Sequence, residues 1–431
     1  MKILLVSWYF PPTDTIGAKR VGKFAEYMQA AGHDVRAVVP PDAGHPRTLR
    51  STLDSDVFVE TKYTDINAFP DRIKGWLRGR ATPASGPGKQ LPPSSPDQET
   101  VSGMLGRSYR YLTNFPDARI GWLPHAVKVG ARLGRQWHPD LIFASGPPHS
   151  GLLAGYALHR RLGCPLVVEY RDRWVDDAYS PLGGLQRRLG NFLERRIIDA
   201  AAAVITVSEP WADYYRQKFD TPVHSIMNGF DADAYDSGAR CRGANGSAGL
   251  KIVYTGGIYV GKRDPSPLFE ALQIMGDRAR PITVDFYGTR ADLIMPLAEK
   301  YGVADNIVIH PPVSGEHIIP VQQKADILLL LQWNHPSEQG NVPGKLFEYL
   351  GARRPVLGIG IEDGVPATIL RQNNAGMFIN DPPTLARQLA AWLAEKRQHG
   401  HIEAIPGDVQ KIFTRRRQYR RLETILRKIV P

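Results

Sequence analysis

Residues 1–39, MKILLVSWYFPPTDTIGAKRVGKFAEYMQAAGHDVRAVV, predict a strand, a loop, a helix and a second strand in that order. The apolar run Ile3–Ser7 is followed by a loop rich in proline and glycine. A helix is predicted from Arg20 to Ala31, because apolar residues recur on one of its faces and Gly32 is a typical stop. The next strand is Asp34–Val39. This order of elements begins a doubly wound parallel sheet.

The alternation of strands and helices continues along the chain and then starts again. Later strands of the first half are predicted at 141–145, 166–170 and 203–207, with helices around 150–162, 184–200 and 210–219. In the second half strands are predicted at 251–254, 282–287, 307–310, 327–331, 356–360 and 376–379, with helices near 267–275, 292–301, 316–324, 345–352 and 383–396. The tail from 407 to 430 has a helical pattern. Two α/β sheets are expected, with ligands at the carboxyl ends of their strands.

Charge, cysteine content and hydropathy limit the class of protein. The 431 residues contain 54 lysines and arginines against 43 aspartates and glutamates, and the net charge of +11 favours an anionic partner. The two cysteines, Cys164 and Cys241, exclude a disulfide framework. The first apolar run is too short for a secretory signal, and no apolar run reaches the roughly 18 residues of a membrane span. A cytoplasmic chain is therefore expected.

Two segments of the first half differ in composition from the rest. Residues 79–103 are rich in glycine, proline, serine and glutamine and are expected to form a mobile loop. The segment Arg72–Arg80, which overlaps the start of this loop, contains lysine and arginine together with tryptophan and leucine. This composition suits binding to the surface of an anionic membrane. A solvated loop is the alternative interpretation of Arg72–Arg80.

The segment NVPGKLFEYL, residues 341–350, carries the most chemical information. Pro343 and Gly344 are expected to start a helix after a polar loop, and the free N–H groups of such a start suit a diphosphate. Lys345 places a cation in the first turn, where a bound anion would offset its unfavourable interaction with the helix dipole. Glu348 follows one turn later, and its carboxylate is able to accept both hydroxyls of a ribose. The alternative is an ordinary helix start with solvated charges.

Three further loops follow predicted strands. In 254–264, paired glycines allow a ligand to come close to the backbone, and Lys262 and Arg263 are candidates to neutralise a phosphate. In 168–174, an apolar strand ends in alternating charges, which are either part of a site or a salt-bridge cluster at the surface. In 145–150, His149 is a candidate to titrate near neutral pH or, alternatively, a helix cap or packing residue.

Together these motifs resemble the retaining glycosyltransferases of family 4, and most closely the bacterial members that build polysaccharide or lipopolysaccharide. The resemblance covers nearly the whole chain, and its specificity comes from the order and spacing of the segments. The segments that carry it are 3–12, 17–20, 169–174, 203–209, 227–231, 254–257 and 342–357.

The resemblance implies the GT-B fold, in which two Rossmann-like domains face each other across a cleft. Residues 1–232 would form the acceptor-binding domain and 233–408 the domain that binds the nucleotide sugar, with a C-terminal helix, 409–431, packing back on the first. The donor is expected to be a UDP-sugar, and the acceptor a glycan or a lipid-linked glycan.

The family's functional positions map onto this sequence residue by residue. The resemblance implies that Glu348 binds the ribose, that Lys262 or Arg263 contacts the diphosphate, and that backbone near Val313 lies by the base. It places Arg171 and Asp172 by the reacting sugar, and His149 completes the catalytic candidates. The donor-binding set is Gly17, Gly256, Gly257, Lys262, Arg263, Val313, Val342, Pro343, Gly344, Lys345 and Glu348.

The sequence departs from the family pattern at one position. Many members have two glutamates separated by seven residues, but counting back from Glu348 leads to Gly340, and Glu338 is two residues away. The family also implies catalysis without a bound metal or other cofactor. Asp231-Ala232-Asp233 is not expected to hold one, because it falls between the two halves.

Several partners and alternatives follow from these observations. An anionic membrane surface, at the inner face of the cytoplasmic membrane, is a candidate partner; nucleic acid is not expected, because no known nucleic-acid-binding motif is present. A GT-B-like nucleotide-sugar epimerase and a catalytically silent sugar-nucleotide-binding protein are the alternatives to a transferase.

Overall fold

The computed structural model describes residues 1–41, 45–54, 56–68, 109, 111, 113–179, 181–235, 249–313 and 315–430. The predicted mobile loop 79–103 and the cationic segment Arg72–Arg80 lie outside these residues. The chain divides into two compact units. Unit 1 comprises Met1–Ile226 and Tyr419–Pro431, and unit 2 comprises Met227–Gln418.

Unit 1 is built on a seven-stranded parallel sheet with the strand order β3-β2-β1-β4-β5-β6-β7. Its strands are β1 (Lys2–Ser7), β2 (Asp34–Val39), β3 (Phe58–Glu60), β4 (Leu141–Gly146), β5 (Leu166–Tyr170), β6 (Ala203–Thr206) and β7 (Val223–Ser225). The central strands are buried along their whole length, as expected when helices cover both faces of a parallel sheet.

The helices of unit 1 cover this sheet. They are α1 (Ile16–Ala30), α2 (Leu123–Trp137), α3 (Ser150–Leu162), α4 (Gly184–Ala200) and α5 (Glu209–Arg216). Thr15 caps α1, and its Oγ1 accepts from the Ala18 N–H at 3.1 Å. Such side-chain capping satisfies one of the free N–H groups at the start of a helix.

Unit 2 repeats the design with a six-stranded parallel sheet of order β10-β9-β8-β11-β12-β13. Its strands are β8 (Leu250–Thr255), β9 (Ile282–Tyr287), β10 (Ile307–His310), β11 (Ile327–Leu331), β12 (Val356–Ile359) and β13 (Gly376–Phe378). The helices are α6 (Ser266–Met275), α7 (Ala291–Lys300), α8 (Gly315–Lys324), α9 (Gly344–Ala352), α10 (Val365–Gln372), α11 (Pro382–His399) and α12 (Asp408–Ile412). The last helix, α13 (Arg415–Ile429), begins in unit 2 and belongs to unit 1 from Tyr419 onward.

The C-terminal helix α13 returns to unit 1, as the family resemblance implied. Leu422 and Leu426 are buried in the same apolar core as Phe24 of α1. The hydroxyl of Tyr419 donates to the carbonyl oxygen of Arg20 at 2.7 Å. The expected α/β, GT-B-like architecture is thereby confirmed.

Each sheet has one point at which the strand order reverses. In unit 1, β2 and β3 are added on one side of β1, and β4 is then added on its other side. In unit 2, β9 and β10 are added on one side of β8, and β11 is then added on its other side. Loops that leave the carboxyl ends of the two strands at such a point diverge and leave room for a ligand. The loops after β1, β4, β8 and β11, together with the first turns of the helices that follow them, hold most of the predicted site residues. Within the described residues, no helix is both long enough and apolar enough to cross a membrane.

Candidate functional site

The first turn of α9 has no side-chain cap. Pro343 is its N-cap residue, with φ −64° and ψ 138°, and its side chain makes no capping hydrogen bond to the turn. The helix begins at Gly344, directly after the half-buried Pro343. An uncapped first turn presents backbone N–H groups and the positive end of the helix dipole to an anion.

Lys345 adds a buried ammonium group to this turn. Its Nζ is inaccessible to solvent and, among the described residues, has no hydrogen-bond partner. It lies 4.1 Å from the centre of the Tyr254 ring, which stabilises the cation partly through the ring quadrupole. Burial, reinforced by nearby Arg263 and opposed by Glu348, lowers the pKa of Lys345 to about 7. A buried ammonium that lacks an acceptor is suited to an anionic ligand.

Gly256 brings the loop after β8 against the same ammonium. A Cβ added at Gly256 would lie 2.8 Å from Nζ of Lys345, and the φ of Gly256 is +119°, a conformation that side chains disfavour. The N–H of Gly256 donates to the Tyr287 carbonyl at 2.8 Å, and its own carbonyl accepts from Thr289 Oγ1 at 2.8 Å. The glycine is thus held in place by backbone bonds, and the two sequence motifs meet there.

The cations that follow Gly257 fold back on the loop. Arg263 Nη1 donates to the Gly257 carbonyl at 3.0 Å, and the Tyr254 hydroxyl donates to the same oxygen at 2.9 Å. Nζ of Lys262 lies 4.8 Å from the ring centre of Trp333, which follows β11. The structure therefore gathers Gly256, Lys345 and the two cations around the carboxyl ends of β8 and β11.

Glu348 belongs to a hydrogen-bonded group beneath this loop. Gln322 Nε2 lies 3.5 Å from Glu348 Oε2 and donates to Thr255 Oγ1 at 3.3 Å. The hydroxyl of Tyr349 accepts from the Thr255 N–H at 3.1 Å. Neither Gln322 nor Tyr349 was predicted to have a role from the sequence, although Tyr349 stands in the segment 341–350. They fix the end of β8 relative to α9.

The loop before α9 explains how the chain accommodates the departure at Gly340. The carboxylate of Glu338 is buried and accepts from Asn341 Nδ2 at 2.9 Å, while Gln332 Nε2 donates to the Asn341 carbonyl at 3.1 Å. Glu338 therefore helps to shape the loop. The buried side chain of Val342 is part of the apolar core, and Val313 lies half-buried in the loop after β10.

Unit 1 shows a similar pairing of a glycine with a half-buried cation. A Cβ added at Gly17, in the first turn of α1, would lie 2.0 Å from Nη1 of Arg171. Nε of Arg171 donates to the Gly146 carbonyl at 3.2 Å and Nη2 donates to the Pro147 carbonyl. Burial lowers the pKa of Arg171, against the opposing effect of Glu169 and Asp172. A guanidinium at a helix N-terminus is a second position that favours an anion.

Glu169 is a buried residue of the sheet and not part of a surface cluster. Its Oε1 accepts from Arg20 Nε at 2.9 Å and its Oε2 accepts from Ser145 Oγ at 2.6 Å. Ser145 and Glu169 are direct neighbours in the β4–β5 register. Burial alone would raise the pKa of Glu169, but Arg20 and Arg171 hold it below the usual range. The surface interpretation therefore fails for this residue, whereas Asp172 is exposed at the end of the same strand.

Of the two sequence interpretations of His149, a group that titrates near neutral pH and a helix-cap or packing residue, the structure supports the second. Burial, reinforced by Arg171, lowers the pKa of His149 to about 3. Its ring stacks on Trp174 at 4.9 Å with an interplanar angle of 11°. The residue after it, Ser150, is anchored by Asp117, whose carboxylate accepts from both the N–H and the hydroxyl at 2.8 Å. His149 is therefore neutral. Asp117 anchors the loop, and no sequence motif pointed to this role.

Residues 17–229 match the family described as Glycosyl transferase 4-like domain. The recognition made from the sequence is confirmed: the chain carries a domain of this family. No curated protein matches the chain.

Solved structures share its fold over nearly the full length at low identity. Sucrose-phosphate synthase from Thermosynechococcus elongatus is 15% identical, with a TM-score of 0.61 over 100% of this chain and 99% of that one. HepE of Anabaena, in complex with UDP, is 13% identical, with a TM-score of 0.62 over 99% and 100%. The lipopolysaccharide outer core galactosyltransferase WaaB is 10% identical, with a TM-score of 0.59 over 99% of each chain. At these identities the likeness establishes the fold.

Proposed function

We propose that this protein transfers a sugar, with retention of anomeric configuration, from a UDP-sugar to a glycan or lipid-linked acceptor in the synthesis of cell-surface polysaccharide. The observation that carries the proposal is the buried Lys345 ammonium, which lies without an acceptor among the described residues between Gly256 and the uncapped start of α9. A diphosphate supplies the missing acceptor.

The donor nucleotide is assigned to unit 2. In this proposal the diphosphate contacts Lys345 and the N–H groups around Gly344, and Glu348 accepts the ribose hydroxyls. The preference for uridine draws support from HepE of Anabaena, a protein of the same fold that was solved with UDP-glucose. Gly257, Val313, Val342 and Pro343 complete the proposed donor contacts.

The chemistry requires that charge on the departing diphosphate be stabilised. Lys262, Arg263 and Lys345 are fixed cations near the carboxyl ends of β8 and β11, and preorganised cations of this kind stabilise a leaving group as its charge develops. The reaction is proposed to need no bound metal. Retention then follows if the acceptor hydroxyl attacks from the face that the diphosphate leaves.

Unit 1 is assigned the acceptor and the sugar phosphate. Arg171, at the start of α1 beside Gly17, is proposed to face the reacting sugar. Asp172 is exposed at the end of β5 and is proposed to orient or deprotonate the acceptor hydroxyl, a role that a donor phosphate oxygen is also able to fill. His149, being neutral, contributes to this group as a hydrogen-bonding and packing residue.

A lipid-linked acceptor would place the protein at the inner face of the cytoplasmic membrane. The cationic segment Arg72–Arg80 stays a predicted contact with that surface.

The proposal is tested in two stages. A thermal-shift screen across nucleoside diphosphates should show the largest stabilisation with UDP, because a ligand that binds only the folded state raises its stability. Slow hydrolysis of UDP-sugars without acceptor, followed by transfer to lipid-linked glycans, then identifies the donor. Conversion of a UDP-sugar to its epimer without acceptor would replace the transferase with an epimerase, and failure to bind any nucleotide would contradict the proposal.

A further inference from the structure

The solvent-facing side of α4 in unit 1 carries large apolar side chains. Leu185, Leu189 and Phe192 are 66%, 44% and 54% exposed. Their spacing of four and three residues places them on one stripe of the helix. Exposed leucines are common singly, but a stripe of three at helical spacing marks a surface that binds something apolar.

The opposite side of the helix is well packed. Gly190, Glu194, Ile197 and Ile198 are buried. Both isoleucines belong to the core of unit 1 together with the strand β5. The stripe is therefore presented by a helix that is firmly held by its other side, and its exposure does not come from loose packing.

Arginines border the stripe. Arg188, Arg195 and Arg196 are exposed, and the guanidinium of Arg196 lies 5.2 Å from the centre of the Phe192 ring. Arg187 is paired with Asp176, so its charge is already neutralised. Of the two carboxylates in the helix, Glu194 is buried, which leaves Asp199 as the exposed one. The surface is thus apolar at its centre and cationic at its edges; we call Leu185, Arg188, Leu189, Phe192, Arg195 and Arg196 the α4 face.

A tyrosine stands at the start of the α4 face. Tyr111 is 42% exposed, and its carbonyl accepts from Gln186 Nε2 at 2.6 Å. A Cβ added at Gly183 would lie 2.5 Å from the Tyr111 hydroxyl, so the ring lies directly against the turn that begins the helix. Tyrosine is enriched at membrane–water interfaces, because its ring is apolar and its hydroxyl is polar.

We propose that the α4 face docks this protein on an anionic lipid bilayer, with the helix axis parallel to the membrane plane. Leucine and phenylalanine enter the boundary between headgroups and acyl chains, and the arginines pair with anionic headgroups, as on other interfacial amphipathic helices. Charge complementarity selects this occupant. A second copy of the same face would bring arginines against arginines across a two-fold axis, which is unfavourable.

This surface is independent of the donor site in unit 2 and of the predicted Arg72–Arg80 contact. Vesicle binding and UDP binding are measured separately, so the docking proposal can be wrong while the donor-site proposal holds, and the reverse. A chain that binds UDP but no vesicles would overturn the docking proposal alone.

The test is cosedimentation of the full chain with vesicles of phosphatidylcholine, with and without phosphatidylglycerol. The wild-type chain should bind only when phosphatidylglycerol is present, and binding should weaken as salt is raised. The double variant Leu189→Asp/Phe192→Asp should bind at least about tenfold more weakly, since two apolar anchors are replaced by charges that anionic lipid repels. The double variant Arg188→Gln/Arg196→Gln should lose about fivefold per arginine.

The matched control is Ile274→Asp, which replaces a similarly exposed apolar residue (46%) on α6 in unit 2. It should bind vesicles like the wild-type chain, and all variants should keep the wild-type melting temperature, because the changed side chains face solvent. Unchanged vesicle binding in both α4 variants would overturn the proposal. So would a wild-type dimer that becomes monomeric in the Leu189→Asp/Phe192→Asp variant, because the face would then be an interface between two copies.

Discussion

Gly256 and Lys345 are in close contact: a methyl group on the glycine would lie 2.8 Å from the lysine ammonium. The two residues belong to separate motifs, one after β8 and one at the start of α9. Their contact places a buried cation at the point where the sheet of unit 2 reverses its strand order. This relationship is the basis of the proposed donor site.

Gly256→Ala is expected to weaken UDP binding by at least about tenfold, because the added methyl displaces the Lys345 ammonium. It should also lower the free energy of unfolding by about 1–3 kcal/mol, since alanine is strained at a φ of +119°. Fluorescence-detected UDP titration and urea unfolding measure the two effects. The matched control is Gly261→Ala, where φ is +74° and nothing lies within 4 Å of the added Cβ. If both variants lose UDP affinity equally, the contact with Lys345 is irrelevant.

Glu348→Gln separates ribose recognition from diphosphate recognition. A hydrogen bond to a charged group is worth about 1.5–3 kcal/mol, so UDP affinity should fall by about tenfold or more. Affinity for inorganic diphosphate, which has no ribose, should change much less, because Glu348 acts on it only through the protonation of Lys345. Competition binding with both ligands provides the comparison, and Glu299→Gln on the exposed side of α7 is the control. Equal losses for UDP and diphosphate would argue against the ribose assignment.

The affinity for UDP should depend on pH through Lys345. The pKa of this lysine is lowered to about 7 in the free protein, and a bound diphosphate raises it, so binding takes up a proton. Above pH 7 the affinity should therefore fall, by up to about tenfold per pH unit. Lys345→Arg keeps its charge across this range and should remove the dependence. A profile that is identical in the wild-type chain and in this variant would contradict the assignment.

The lowered pKa of Lys345 has the opposite effect on folding stability: the free energy of unfolding should rise with pH, whereas the affinity for UDP falls. In the unfolded chain the lysine has its ordinary pKa of about 10.4, so the unfolded state binds more protons than the folded state between about pH 7 and 10. Without ligand, this residue should make the free energy of unfolding rise with pH across that window. Urea unfolding of the wild-type chain and of Lys345→Met, compared at two pH values, measures the contribution.

Glu169→Gln in unit 1 should cost about 3–5 kcal/mol of stability, because it leaves the buried Arg20 guanidinium without its counter-charge. Asp292→Asn breaks an exposed pair with Arg290 and should leave the melting temperature unchanged. Differential scanning calorimetry tests both variants. Similar melting temperatures in the two variants would show that the Glu169 pair contributes nothing to the fold.

Much of the fold was predictable because its strands are apolar runs bounded by turn residues. The predicted strands at 34–39 and 166–170 coincide with β2 and β5. The short strands β3 and β7 were missed, since three residues carry no periodic signal. The helices α2 and α10 were also missed: α2 follows the segment of unusual composition, and α10 begins in a loop rich in glycine and proline.

The sequence was less informative about the environment of single residues. Lys345 stood out in the sequence because a cation in the first turn of a helix interacts unfavourably with the helix dipole. Its burial against Tyr254 was not visible, because Tyr254 belongs to a different part of the chain, the strand β8. The neutral state of His149 follows from the desolvation of its ring and from the nearby charge of Arg171, neither of which has a sequence signature. Glu169 was visible as part of a charged cluster, and only its pairing with Arg20 of α1 shows that it is structural.

The central claim is that the Lys345 ammonium holds the diphosphate of the donor. The most direct measurement is titration calorimetry of UDP with the wild-type chain and with Lys345→Met, which keeps the length of the side chain and removes its charge. We predict binding to the wild-type chain, a loss of at least about tenfold in the variant, and no decrease in its melting temperature, because methionine avoids the cost of burying a charge. Equal affinity of the two proteins for UDP would contradict the account.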